Sequence, residues 1–230
     1  MTYANLILSA LASASLQRLA PNLEAVELSR GRVIHRADAP IEHIYFLDKG
    51  LASLVKTMED GRSIEVVTVG IEGALGVLAA FGLGRTVVDA VVQLPGHGSR
   101  IRPSALREEM ARNPILQTLL LQCAHRTLSQ VIQIAACNSL HSLRERCCRW
   151  LLMAHDSAGS DRFPITHETL AAVLGVQRTG VSVVANTLRQ SGLIAYRHGH
   201  LIITDRSGLE RQACECYGSL RARSDRLPVP

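Results

Sequence analysis

The sequence lacks any hydrophobic stretch long enough to cross a membrane. Among its 230 residues there is no run of about eighteen apolar side chains, the length at which a helix begins to span a bilayer. No basic residue precedes the apolar run at the N-terminus, as it would in a secretory signal peptide. The spacing of Leu6, Leu11, Leu16 and Leu19 instead favours an amphipathic helix. The chain is therefore predicted to be cytoplasmic, with no membrane among its partners.

Lysine is nearly absent, since only Lys49 and Lys56 occur, and arginine supplies most of the positive charge. The formal net charge is +5. Residues 1–141 hold 13 basic against 12 acidic residues, whereas residues 142–230 hold 12 against 8. The basic excess thus lies in the C-terminal part, as expected of a module that binds a polyanion. Arginine suits such contacts because its planar guanidinium can bind phosphate or guanine through two hydrogen bonds.

Cysteine is missing from the N-terminal hundred residues, and six cysteines occur further along. A disulfide framework is not expected in a cytosolic chain of this size. No two pairs have the spacing of a zinc motif, so we expect buried thiols rather than a redox or metal centre. The six residues are Cys123, Cys137, Cys147, Cys148, Cys214 and Cys216. The sequence assigns no role to the last four of them.

Residues 166–189 contain two helical patterns separated by a short turn. Thr166 is a suitable N-cap for the first helix, and Gly175 can adopt the left-handed conformation that ends it. A second helix starts near Gln177 or Arg178, with one apolar face and one polar face that carries no acid. This pattern is typical of a helix-turn-helix, although two packed helices of an ordinary all-α domain also fit it. The residues predicted to contact DNA are Thr166, Gln177, Arg178, Thr179, Ser182, Val183 and Asn186.

Two short β-type runs follow the second helix, at 193–196 and 201–203. They flank a turn that contains Gly199, which indicates a hairpin. A hairpin directly behind a recognition helix is the wing of a winged helix. Its tip would carry Arg197, His198 and His200 towards DNA phosphates. Because His198 and His200 have no third ligand nearby in sequence, we expect solvated or phosphate-facing histidines rather than a metal site.

Residues 22–103 contain short β-favouring runs that alternate with turn signals. This pattern predicts an antiparallel sandwich or jelly roll. Asp60-Gly61 is the strongest hairpin signal, and further turns are predicted at 48–50 and 95–96. The predicted strands are Leu23–Leu28, Arg32–His35, His43–Leu47, Leu51–Lys56, Ile64–Thr68, Thr86–Val92 and Gly98–Ile101.

The run Ile44–Gly50, followed by the hairpin at Asp60-Gly61, resembles the cyclic-nucleotide-binding-type β-roll of the CRP/FNR family of bacterial transcription regulators. The resemblance extends over nearly the whole chain, in the family's order of β-roll, long helix and winged helix. It implies an α+β fold with an N-terminal antiparallel β-roll (jelly roll), a long dimerisation helix and a C-terminal winged helix-turn-helix. We place the effector β-roll at residues 1–113, the dimerisation helix and hinge at 114–141, and the DNA-binding domain at 142–230.

Nucleotide-binding members of this family place a Gly-Glu-Leu turn and an Arg-Ser pair around the cyclic phosphate and ribose. The matching positions make Gly73, Leu75, Arg85 and Thr86 the candidate effector-binding residues. Ala74 replaces the glutamate and cannot accept the ribose hydroxyl, so a different small molecule, or none, is expected in place of a cyclic nucleotide. Other members hold an iron–sulfur cluster with N-terminal cysteines, which are absent here, so no such cluster is expected. Lone histidines are weak evidence for a haem.

Pro114 suits the first position of a helix that is predicted to extend to Asn138, about 37 Å at 1.5 Å per residue. Ser104 is the candidate N-cap of the helix before it. The long helix has one apolar seam at Leu121, Ala124, Leu128, Val131 and Ala135, and a second at Leu116, Leu120, Cys123, Thr127, Ile134 and Cys137. A core helix in a monomer would explain both seams. The resemblance instead implies a homodimer through residues 114–138, with recognition helices about 34 Å apart, one turn of DNA.

These patterns favour a sequence-specific, DNA-binding regulator of transcription, for which the resemblance implies RNA polymerase as a further partner. Thr179 and Val183 depart from the family's glutamate and arginine, so we expect a different target, with apolar contact to a thymine methyl. No nucleophile–base pair, phosphate-binding loop or nucleotide fingerprint indicates an enzyme. A ligand-sensing module without DNA function is the remaining alternative. The sequence leaves open the effector, the operator and the choice between activation and repression.

Overall fold

The computed structural model describes residues 3–224, so the outermost residues of the first and last predicted domains lie outside the described part. The fold is α+β, with an N-terminal antiparallel β-roll, a long helix and a C-terminal winged helix-turn-helix, as predicted. In the described residues, no helix has the length and apolar character needed to cross a membrane.

The N-terminal region forms two short helices instead of one amphipathic helix, because the chain turns between them. These are α1, Leu6–Ser9, and α2, Ser13–Leu19. The side chain of Asn5 caps α1 by accepting hydrogen bonds from the amides of Ile7 and Leu8, and it also donates to the carbonyl oxygens of Leu47 and Gly73. The helices thereby pack their leucines against the β-roll core.

The β-roll is one six-stranded antiparallel sheet. Four strands lie in the order β1-β6-β3-β4, β2 pairs with β6, and β5 pairs with β3. Asp60-Gly61 forms the turn of the β3–β4 hairpin, as predicted, and Gly61 has a φ of +82°. The strands are β1, Glu24–Leu28; β2, Val33–His35; β3, Ile44–Thr57; β4, Ser63–Val69; β5, Ala74–Leu75; and β6, Asp89–Ile101.

The predicted turns at 48–50 and 95–96 were wrong, because β3 and β6 run through both and pair with each other there through register shifts. A Cβ on Gly96 would lie 2.0 Å from the carbonyl oxygen of Lys49, and one on Gly98 would lie 2.1 Å from that of Phe46. These glycines therefore allow close approach of two backbones instead of reversing the chain.

Two helices lead from the β-roll to the C-terminal region: α3, Pro103–Arg112, and α4, Pro114–Leu140. The prediction of Ser104 as an N-cap was wrong, since α3 already begins at Pro103. Its N-cap is Arg102, which makes no side-chain capping bond. Pro114 does begin the long helix, which the side chain of Asn113 caps. In α4 the seam through Leu116, Leu120 and Cys123 is buried, so this face packs on the β-roll core.

As far as residue 224, the C-terminal region comprises five helices and a three-stranded sheet in the order β7-β9-β8. Ser142 and Glu145 form a reciprocal capping box at the first helix. Trp150, Leu170 and Leu188 are among the fully buried residues of its core. The elements are α5, Leu143–Ala158; β7, Arg162–Pro164; α6, His167–Leu174; α7, Arg178–Gln190; β8, Ile194–Arg197; β9, His200–Ile203; α8, Arg206–Gln212; and α9, Cys216–Ser224.

Candidate nucleic-acid interface

Local sequence signals account for the helix-turn-helix formed by α6 and α7. The hydroxyl of Thr166 accepts a hydrogen bond of 3.1 Å from the amide of Thr169 and so caps α6. Gly175 ends the same helix in the left-handed conformation, with a φ of +65°. Gln177 is the N-cap of α7 without a side-chain capping bond. The exposed amides at the start of α7 therefore stay available to an anion such as a DNA phosphate.

One face of α7 is open to solvent and carries no acidic residue. Of the residues predicted to contact DNA, Arg178, Thr179, Val183 and Asn186 all lie exposed on this helix. Val183 is 67% exposed, which is unusual for a valine in the middle of a helix. Arg178 lies 3.7 Å from Glu168, and both side chains are largely exposed, so this ion pair is weak. The face thus offers a guanidinium, an amide and methyl groups to a partner.

Ser182 differs from these residues because its hydroxyl is already engaged within the domain. It donates to the carbonyl oxygen of Arg178 at 3.0 Å and lies 3.0 Å from Nδ1 of His167. The ring of His167 packs edge-on against the ring of Tyr196, and the two ring centroids lie 5.1 Å apart. Burial, and then the charge of Arg178, lowers the pKa of His167 below its usual value, which favours the neutral imidazole. Ser182 therefore links α6 to α7, and a base contact from it would have to compete with these bonds.

The wing is a tight hairpin between β8 and β9. Its two turn residues, His198 and Gly199, both have positive φ values, +48° and +76°, which is typical of a type I′ turn. Arg197 is exposed and pairs across the hairpin with His200. His200 is half-buried, and its Nδ1 lies 3.1 Å from the carbonyl oxygen of His198. The wing therefore presents Arg197 to solvent, while His200 stabilises the turn.

The winged helix-turn-helix packs directly on the β-roll. The indole nitrogen of Trp150 in α5 donates a hydrogen bond of 3.1 Å to the carboxylate of Glu65 in β4. Nη2 of Arg30 lies 3.0 Å from the hydroxyl of Thr169, and Ile64 fills the space beside Gly175. These contacts hold α5 and α6 against the sheet and leave the outer face of α7 uncovered.

The four candidate effector residues do not form one pocket. Leu75 is buried in β5, and Gly73 is buried directly before this strand. Arg85 is exposed on a separate loop and donates to the carbonyl oxygen of Asp38. The hydroxyl of Thr86 is bonded within its own loop, to the backbone of Val88. The two polar side chains, Arg85 and Thr86, are thus occupied locally in this conformation.

The space between β4 and α4 beside Gly73 is nearly filled. The cavity there measures about 10 Å³, which is roughly the size that holds one water molecule. Arg126 from α4 occupies its edge and donates a hydrogen bond of 2.6 Å to the carbonyl oxygen of Glu72. The carboxylate of Glu72 in turn accepts from the amide of Gly70. This cavity is too small for a nucleotide, because ligand pockets of that kind hold about 300 Å³ or more. A cavity of about 320 Å³ shares Thr68, Glu72 and Gln130 with it, but none of the four candidate effector residues lines that larger cavity.

Sequence reasoning missed the residues that join the two halves. Glu65 has a signal that could have identified it, because strand alternation puts it on the same inward face as Val67 and Val69. A carboxylate at such a position needs a buried partner. The partner, Trp150, lies 85 residues away in sequence, and no local pattern indicates it.

Comparisons with known proteins agree with the geometry. Residues 25–113 match a model of the cyclic nucleotide-binding domain, and residues 145–212 match one of the Crp-like helix-turn-helix domain. The transcriptional regulator LdrP of Thermus thermophilus is 28% identical over 192 residues, which cover 80% of this chain and 94% of that protein. A CRP-like cAMP-activated global transcriptional regulator of Mycobacterium tuberculosis is 22% identical over 202 residues, with 85% and 90% covered.

Among solved structures, a CRP-family transcriptional regulator from Thermus thermophilus superposes with a TM-score of 0.69 at 24% identity, covering 82% of this chain and 96% of its own. This likeness shows the shared fold. The two domain matches in their order along the chain, with the similarity to LdrP over most of both chains, establish that the protein belongs to the CRP/FNR family of transcription regulators.

Proposed function

We propose that this protein regulates transcription as a homodimer that binds a two-fold-symmetric DNA site through the exposed face of α7. The single observation that carries the proposal is this uncovered, acid-free face, with Arg178 in its first turn and Val183 in its middle. A recognition helix reads base edges in the major groove with residues near its N-terminus. Arg178 is suited to guanine, and the methyl groups of Thr179 and Val183 are suited to thymine.

Most of the binding free energy would come from contacts with phosphate. Arg197 at the wing and the free amides at the start of α7 are placed for that role. Thr166 is exposed at the start of α6, and its hydroxyl, which accepts from the amide of Thr169, would donate its own proton to a phosphate. Because such contacts displace counterions from DNA, affinity should fall steeply as salt rises.

The seam of α4 through Leu121, Leu128 and Val131 supports the dimer. These three residues and the adjacent Ile132 are all exposed, and Leu128 and Ile132 are 58% and 63% exposed. Single exposed apolar side chains are ordinary, whereas a continuous stripe on one helix face marks an interaction surface. The occupant that fits best is the same stripe of a second copy, since spacings of three and four suit helix-to-helix packing.

The regulator that we propose does not respond to a cyclic nucleotide. Arg85 is bonded to Asp38, Ala74 offers no carboxylate, and the space beside Gly73 is filled. Either a different small molecule controls the protein, or the protein has no small-molecule effector. Contact with RNA polymerase follows from membership of the family and stays a prediction.

The test starts with selection of bound sequences from a pool of random duplexes by the full-length protein. Affinity for the selected site and for a scrambled duplex is then measured across a salt series. We expect an inverted-repeat site, a steep loss of affinity with salt and a preference for the selected site of about a thousandfold or more. Binding that is weak and equal for both duplexes would contradict the proposal and would favour a ligand-sensing module without DNA function.

A further inference from the structure

Four side chains capable of binding a metal meet at the junction between α4 and α9. Cys137 and His141 come from the C-terminal end of α4, Cys214 lies between α8 and α9, and Cys216 is the first residue of α9. Their sulfur and nitrogen atoms all lie within 4.8 Å of one another. The three cysteines are 0%, 5% and 1% exposed, and His141 is half-buried. This group is called the Cys3His cluster below.

Two distances within the Cys3His cluster match the edges of a single tetrahedral site. Sγ of Cys137 lies 3.6 Å from Sγ of Cys214, and Sγ of Cys216 lies 3.6 Å from Nδ1 of His141. Zinc binds sulfur at about 2.3 Å and nitrogen at about 2.0–2.1 Å, so the edges of its tetrahedron measure about 3.5–3.8 Å. The sulfur atoms are too far apart for a disulfide, in which they lie about 2.05 Å apart. A cluster of several irons would need its thiolates spread more widely around it.

The surrounding residues supply the bonds that usually orient metal ligands. Nε2 of His141 lies 3.1 Å from a carboxylate oxygen of Glu215, which leaves Nδ1 directed at the cluster. Carboxylate–histidine–zinc arrangements of this kind fix the ring and its tautomer. The side-chain amide of Gln133 donates to Sγ of Cys216 at 3.0 Å. Both partners thus contact the Cys3His cluster, whose three cysteines form a small buried group of their own.

The positive charge of a neighbouring arginine would balance the negative charge of a zinc-loaded Cys3His cluster. Three thiolates and one Zn²⁺ would leave a net charge of −1. Arg146, which is buried beside the cluster, interacts electrostatically with Cys137 and Cys214, and Nη1 of Arg146 is bonded to Asn138. A buried guanidinium of this kind offsets the remaining negative charge.

We propose that Cys137, His141, Cys214 and Cys216 form a structural Zn²⁺ site that fastens α9 to the end of α4. Four protein ligands leave no open position, which is the arrangement of structural rather than catalytic zinc. The site lies at the hinge between α4 and α5, so it would fix how the C-terminal region is set on the long helix. The expectation of thiols without a role rested on sequence spacing, which does not reveal pairs that are 77 residues apart.

The test is metal analysis of the full-length protein purified from zinc-supplemented medium without a metal-affinity tag. We expect one zinc per chain and, by X-ray absorption, three sulfur ligands and one nitrogen ligand. The double variant Cys214→Ser/Cys216→Ser should lose the metal. Cys123→Ala, which removes a buried thiol of the same helix outside the cluster, should retain it. The Glu215→Gln variant should bind zinc about 10- to 100-fold more weakly.

A spectroscopic measurement covers the case in which the double variant fails to fold. Replacing zinc by Co²⁺ in the wild-type chain should give thiolate-to-cobalt charge-transfer bands and the intense visible bands of a tetrahedral site. Wild-type protein without stoichiometric metal, iron with inorganic sulfide in place of zinc, or a Cys137–Cys214 disulfide seen as the loss of two hydrogens by mass spectrometry would each overturn the proposal. None of these readouts depends on whether the protein binds DNA.

Discussion

The indole nitrogen of Trp150 lies 3.1 Å from a carboxylate oxygen of Glu65, and this hydrogen bond joins the first helix of the C-terminal region to the β-roll. Glu65 is fully buried and also accepts a hydrogen bond from the hydroxyl of Ser53. Burial raises the pKa of this carboxyl to about 7, although the bonds from Ser53 and Trp150 and the charge of Arg149 oppose the shift. The contact between the C-terminal region and the β-roll thus includes a carboxyl group, that of Glu65, which can lose its proton near neutral pH.

Replacing Glu65 by glutamine should flatten the dependence of stability on pH. In the unfolded chain the carboxyl loses its proton near its ordinary pKa of 4.5, whereas in the folded protein it keeps the proton up to about pH 7. The free energy of unfolding of the wild type therefore falls as pH rises from about 4.5 to about 7. At pH 8 the Glu65→Gln variant should be more stable than the wild type by up to about 3 kcal/mol. Near pH 4 the two should be equal.

Urea unfolding at a series of pH values measures this difference. Glu59→Gln, which neutralises an exposed carboxylate on the β3–β4 hairpin, is the matched control and should follow the wild type at every pH. Equal slopes for the wild type and Glu65→Gln between pH 5 and 7 would contradict the account of the Glu65 carboxyl.

Cyclic AMP should leave the thermal stability of the protein unchanged. A ligand present at a hundred times its dissociation constant stabilises the folded state by about 2.7 kcal/mol, which raises the melting temperature by several degrees. No such shift is expected here, because Arg85 is bonded to Asp38 and the cavity beside Gly73 holds about 10 Å³. Differential scanning calorimetry with and without the nucleotide checks this. A saturable shift that the Arg85→Ala variant abolishes would show that the β-roll opens to bind it.

The exposed stripe of α4 should hold two subunits together. A charge at Leu128, which is 58% exposed, costs little in the monomer but would be buried without a partner at the centre of a dimer. Leu128→Glu should therefore convert the protein to a folded monomer at micromolar concentration. Leu83→Glu places the same charge on an equally exposed leucine of the β-roll, 60% exposed, and should remain dimeric.

Sedimentation equilibrium gives the mass of each variant, and circular dichroism confirms that each is folded. Two outcomes would show that α4 is not the dimer interface. One is a wild type that sediments as a monomer, and the other is a Leu128→Glu variant that dimerises as well as Leu83→Glu does.

Features that depend on neighbouring residues could be predicted from the sequence. The turn at Asp60-Gly61, the cap at Thr166 and the stop at Gly175 each follow from the conformational preferences of a few adjacent residues, and the structure has all three. The exposed face of α7 follows from helical periodicity in the same way. For this reason the helix-turn-helix and its wing were placed to within a residue or two.

Features that depend on distant residues could not be predicted from the sequence. Gly96 suggests a turn when seen alone, and only its pairing with the β3 strand near Lys49 shows that the backbone passes straight through. The Cys3His cluster is assembled from two pairs at opposite ends of the C-terminal half, with spacings that match no familiar zinc motif. Partner choice across 77 residues is decided by tertiary packing, which leaves no local signal.

Entry of α7 into a DNA groove is the central claim, and the Arg178→Ala variant tests it most directly. Binding of this variant to the selected duplex is compared by fluorescence anisotropy at matched salt with that of the wild type. Arg112→Ala, which removes an exposed arginine of α3, is the charge-matched control. We expect Arg178→Ala to lose about 1–3 kcal/mol of binding free energy, with relaxed preference at one base pair in each half-site, while Arg112→Ala binds as the wild type does. Equal affinity for all three proteins would contradict the central claim.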